Sequence, residues 1–139
     1  HIYGTEIIRG LDVLTLEASE HITANEIAAA GLADYDGVLN PQQQLPVTWP
    51  DHPVVALALL DQLARRGAGD AATVKAASDA IEAARASFDA GKSNRRSARS
   101  IEGLAAKLAS SDDGKPAAEV MRAVAAKLRE PQITSNGAD

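Results

Sequence analysis

The sequence predicts an all-α protein: a three- to four-helix up-down bundle preceded by a short, EF-hand-like helical unit. Three observations predict it. Between Val74 and Leu108, apolar residues recur at alternating spacings of three and four, as Val74, Ala77, Ile81, Ala84 and Phe88, then Ile101, Leu104 and Leu108. That period gathers each set into one stripe on a helix surface. The turn Asp89-Ala90-Gly91-Lys92 lies between the two stripes, and Gly91 can take a left-handed conformation that reverses the chain. Finally, apolar residues make up 45% of the chain and aromatics only 3%, with alanine throughout, which suits helices that approach closely.

Taken in order, Thr5 and Glu6 read as a helix start, with Ile7, Ile8, Leu11 and Leu14 as its stripe and Gly10 as a weak point. Thr23-Ala-Asn-Glu26 has the form of a capping box, and a short helix through Ile27-Ala28-Ala29-Ala30 stops at Gly31. Residues 1–45 form this acidic unit. Pro41, Pro46, Pro50 and Pro53, with Gln42-Gln43-Gln44, make an extended connector, the Pro-rich part of which is residues 46–53; Val47 and Trp49 are apolar enough to dock on a neighbouring surface. The bundle then occupies residues 54–130. Asp51 is the expected cap of its first helix, whose inner face is Leu57, Leu60, Leu63 and Ala64 and whose end is Arg65-Arg66-Gly67. Asp70 caps the long helix that follows, and Ser93 or Asn94 caps the return helix. Ser110 to Gly114 breaks the pattern, and Pro116 opens a last helix with Ala117, Val120, Met121, Val124 and Leu128 inward. Residues 131–139 read as a frayed tail.

Charge divides the chain. Residues 1–52 carry eight acids against the single base Arg9, whereas residues 53–139 carry thirteen bases against eleven acids. The acidic half argues against nucleic acid or anionic lipid as its partner. No run of apolar residues is long enough to span a membrane. The chain holds no cysteine, which excludes disulfides, thiolate metal sites and a cysteine nucleophile.

Two features carry candidate chemistry. The stretch from Thr15 to Glu26 has the length of an EF-hand loop, with Glu17 at position three, Ile22 at the central apolar position and Glu26 at the bidentate one; Thr15 replaces the opening Asp and Glu20 the glycine. A second echo places Asp34, Asp36, Gly37 and Asn40 at positions three, five, six and nine. Over residues 11–43 these resemble the paired calcium loops of EF-hand and dockerin modules. The ligand set they imply for Ca2+ is Glu17, Glu26, Asp34, Asp36 and Asn40, set against turns held by their own capping and Asx hydrogen bonds. The second feature is the basic cluster Lys92, Arg95, Arg96 and Arg99, whose charges repel one another at a helix start and suit an anionic partner. With Trp49, it is the expected partner-binding surface. Catalysis has little to use: His1, His21 and His52 are scattered, a copper site at His1 has no further support, and no nucleophile elbow or phosphate-cradling loop is present.

From Leu59 to Leu128 the chain resembles the FIMAH domain, a helical module at the C-terminal end of secreted bacterial hydrolases and proteases. The resemblance is carried by Leu59-Leu-Asp-Gln-Leu-Ala-Arg-Arg-Gly67, by Ala80-Ile-Glu-Ala-Ala-Arg-Ala-Ser-Phe-Asp-Ala-Gly-Lys92, by Ala98 to Leu108, and by Gly114-Lys115 before Ala117 to Val124. Gly103-Leu104 stands near where the family has an apolar-aromatic pair. The resemblance implies a non-catalytic, extracellular accessory role beside an enzyme domain, with no catalytic residues, so the expected function is that of a structural or protein-interaction module. The alternatives are a calcium-dependent docking unit and a small subunit of a complex.

Overall fold

The structure, a computed structural model, describes residues 2–7, 10–33 and 47–130. Its elements are β1 (Ile2–Glu6), β2 (Gly10–Leu14), α1 (Ala24–Ala30), α2 (Pro53–Arg66), α3 (Ala71–Asp89), α4 (Arg95–Leu108) and α5 (Lys115–Arg129). The fold is a helical bundle, as expected, with one departure at the start.

The expected helix from Thr5 to Leu14 is not formed. Strands β1 and β2 instead pair antiparallel, with Tyr3 opposite Val13, Thr5 opposite Leu11 and Glu6 opposite Gly10. Gly10 lies at a φ of 91°, a conformation closed to a helix. The register puts Tyr3, Thr5, Leu11 and Val13 on one face and Gly4 and Asp12 on the other.

The bundle follows the periodicity, except that Ala64, expected on the inner face of α2, is exposed. The starts of α2 and α4 meet the ends of α3 and α5 at one end of the molecule. There His52 stacks edge-on against Phe88 with ring centroids 5.3 Å apart, the Asn94 amide donates to the Leu128 carbonyl at 2.7 Å, and Lys127 Nζ donates to the Asp51 carbonyl at 3.0 Å. Each helix is therefore antiparallel to the next, and α5 returns beside α2. Leu60, Ile81, Ile101, Met121, Val124 and Leu128 fill the centre together with the fully covered Ala77, Ala84, Ala98, Ala105, Ala118 and Ala125.

Capping explains the boundaries. Asp70 Oδ2 accepts from the Thr73 amide at 2.8 Å and Asn94 Oδ1 from the Ser97 amide at 3.1 Å. The cap of α2 is His52 rather than Asp51: its Nδ1 accepts from the Val54 amide at 3.2 Å, and Asp51 instead faces Lys127. Gly67 and Gly91 both sit at a φ of 62° and end α2 and α3. Gly114 serves a different need, because a side-chain carbon there would lie 2.2 Å from the Leu108 carbonyl oxygen.

Helix α1 is an appendage of α2. Its Ala29 joins Val54, Val55 and Ala58 in a second small core, so α2 is buried on two sides. The expected capping box is present, with Glu26 N donating to Thr23 Oγ1 at 3.2 Å and Thr23 N donating to Glu26 Oε2 at 2.8 Å.

Candidate functional site

Three surfaces stand out, of which the second and third hold residues to which the sequence points. The first is the face of the hairpin. Tyr3, Leu11 and Val13 are 66%, 60% and 54% exposed, and no helix approaches either strand among the described residues. Both outer strand edges lack a neighbouring strand there, and β2 shows solvent along its whole length.

The second surface is an apolar groove of about 380 Å³ between α2 and the start of α5. Trp49, half exposed, stands over Val55, Ala58, Leu59, Pro116 and Val120, while Glu26, Gln62 and Glu119 rim it. Trp49 is thus brought onto the bundle by the extended residues 47–50 just ahead of Pro53.

The third is a cleft of about 430 Å³ where the start of α4 passes the end of α5. Arg95, Arg99, Arg129 and Glu130 line it. Of the four basic residues read from the sequence, Arg95 and Arg99 enter the cleft, whereas Lys92 and Arg96 are exposed elsewhere on the same end. Arg129, which local spacing does not reveal, is brought in by the antiparallel pairing of α4 with α5 and is held there by Glu102. Asp89, at the end of α3, faces Arg85 at 3.9 Å.

Of the expected calcium ligands, Glu17 and Glu26 are among the described residues. Glu17 is exposed in the stretch after β2. Glu26 receives both Arg65 nitrogens, at 2.8 and 2.6 Å, and the Thr23 amide. The Arg65 hydrogen bond chiefly holds its carboxyl well below the ordinary 4.5, at about 2, against the opposing effect of burial. Asp61 completes this latch: its Oδ2 accepts from Thr23 Oγ1 at 2.7 Å and Asn25 Nδ2 at 2.9 Å. Asp34, Asp36 and Asn40 lie outside the described residues. The element before the loop is a strand where an EF-hand has a helix. Among the described residues no group of three His, Asp or Glu side chains is placed to hold a metal ion.

Of the described histidines, His52 is the one in a shaped environment. Burial is the main influence pushing its pKa below 6.5, Arg85 and Lys127 add to it, and Asp89 opposes it. Its Nδ1 lone pair is engaged by the Val54 amide, so the ring works as a helix cap. His21 is exposed beside Glu20, and His1 lies outside the described residues.

The chain matches no family model, and no curated protein or solved structure matches it either.

Proposed function

We propose that this chain is a non-catalytic structural and protein-interaction module of a larger secreted protein or complex, attached through its hairpin to a β-sheet of the partner or neighbouring domain. The hairpin carries the reading. An isolated two-stranded hairpin is marginal in water, and three strands or a supporting layer are needed for independent stability. Among the described residues no layer supports it: the helices bury their apolar stripes among themselves, while Tyr3, Leu11 and Val13 face solvent as one apolar strip. A free strand edge presents amides and carbonyls at a spacing that another strand satisfies, so β-augmentation is the natural complement. The resemblance to FIMAH modules supports the accessory role and the exported setting.

Hydrogen exchange on the full chain tests this. Amides of α2 to α5 should exchange only with global unfolding, and amides of residues 2–14 should exchange without protection until the complementary sheet is supplied. The double substitution Leu11→Asp with Val13→Asp should leave the unfolding midpoint of the bundle in place. Protection of the hairpin in the free chain, or a lowered midpoint in the double variant, would show that the hairpin belongs to the bundle and would remove the reading.

A further inference from the structure

Resting on the interaction-module reading, we infer that the cleft between the start of α4 and the end of α5 binds an extended acidic segment of the partner through its carboxylates. Three guanidinium groups converge there, from Arg95, Arg99 and Arg129. Arg129 is fixed by Glu102, while Arg95 and Arg99 have no ion pair with any described residue. Two cations one helical turn apart that pair with no described residue repel each other, and Arg95 also sits in the first turn of α4, where the macrodipole disfavours it. An anion in the cleft relieves both penalties.

The geometry narrows the ligand. The Ser97 amide is already taken by Asn94 Oδ1 and the Ala98 amide by the Asn94 carbonyl, so these first-turn amides are spent and recognition falls to the guanidinium forks. Guanidinium groups take carboxylates in paired, parallel hydrogen bonds. Arg95 and Arg99 are separated along α4 by about 6 Å. Alternate residues of an extended strand, which share one side, are about 6.6 Å apart. A Glu-x-Glu segment therefore sets one carboxylate on each of Arg95 and Arg99. Glu130 at the rim limits how much further negative charge the cleft accepts. A cleft of about 430 Å³ suits several side chains of a peptide better than one small ion.

The test is fluorescence anisotropy of a labelled Gly-Glu-Gly-Glu-Gly-Glu peptide titrated with the full chain, with inorganic phosphate as competitor. Expected are saturable binding, a loss of at least tenfold in R95A/R99A, and less than a twofold change in R96A, whose side chain is exposed outside the cleft. A peptide of the same composition with its glutamates contiguous should bind several-fold more weakly. Thermal melts of each variant confirm folding, and all three arginines are exposed at the surface. Equal losses in R96A and R95A/R99A would reduce the effect to general surface charge and overturn the inference. So would displacement by phosphate at lower concentrations than by unlabelled peptide, which would make this a free-oxyanion site. Absence of binding overturns it as well, while the exchange behaviour of residues 2–14 still decides the accessory role by itself.

Discussion

Replacing Gly114 by alanine should destabilise the bundle, while the same replacement at Gly103 should stabilise it. Gly114 is buried in the α4–α5 turn, and its added carbon would meet the Leu108 oxygen at 2.2 Å, the Leu108 carbon at 2.9 Å and Ser111 Oγ at 2.9 Å. The Leu108 oxygen cannot swing aside cheaply, since it accepts from both the Ser111 amide and Ser111 Oγ at 3.2 Å. Relief therefore means moving the start of α5, which carries the buried Ala117, Ala118 and Met121. Forcing an extra carbon into such packing costs about 1–3 kcal/mol. A turn hydrogen bond lost in the shift adds about 1 kcal/mol. Reduced freedom of the unfolded chain returns about 0.4–1 kcal/mol. The net loss is about 2–3 kcal/mol, and at roughly 4–8 °C per kcal/mol for a body of this size it is plain in a melt. Gly103 is exposed within α4 and an added carbon there meets nothing within 4 Å. Alanine at that position should gain about 0.5–1 kcal/mol. Urea unfolding followed by far-ultraviolet circular dichroism reads both. If the two variants move the midpoint in the same direction, the close approach at Leu108 is not what requires glycine at 114.

Ile81→Ala, which empties a fully buried site, should cost about 2–5 kcal/mol in the same assay, and a cost below that range would mean the neighbouring alanines collapse into the space. Because Glu26 is held at about 2 against 4.5, the latch contributes stability that is complete above pH 4.5 and fades as pH falls towards 2; in Glu26→Gln that acid-dependent portion should disappear from the pH–melting curve. His52 has a lowered pKa, so its share is complete above pH 6.5 and declines below it, and His52→Asn, which still caps, should flatten the curve between pH 7 and 5 as judged by calorimetry. Calcium should leave the melting midpoint unmoved, given that Arg65 already occupies both Glu26 oxygens; a rise that grows with calcium concentration would restore the docking alternative and bring in Asp34, Asp36 and Asn40.

The helices of the bundle were legible because each repeats its apolar spacing over two turns or more, and because Asp70, Asn94, Gly67 and Gly91 mark their ends by known local chemistry. The hairpin was not. Ile7, Ile8, Leu11 and Leu14 satisfy a helical period over one short window, but Tyr3, Thr5, Leu11 and Val13 satisfy a period of two when paired across a turn, and so few residues fit both. Gly4 and Gly10, poor in a helix, were the available sign. At the candidate site, Arg95 and Arg99 could be read from their own spacing. Arg129 could not, since its place depends on which helix returns beside α4. Glu26 shows a further limit: one carboxylate fits a metal loop and a capping box equally well until Arg65, far along the chain, is brought to it.

The centre of the bundle holds many of the smallest side chains that still carry a β-carbon: Ala77, Ala84, Ala98, Ala105, Ala118 and Ala125 are each fully covered. Such positions have only one lighter replacement, glycine, which weakens a helix by about 1 kcal/mol, and every heavier one drives neighbouring rods apart. Drift is thus confined to the rim, where charges and partner contacts can change freely. Lineages of this protein should keep an almost fixed axis inside a rapidly diverging exterior.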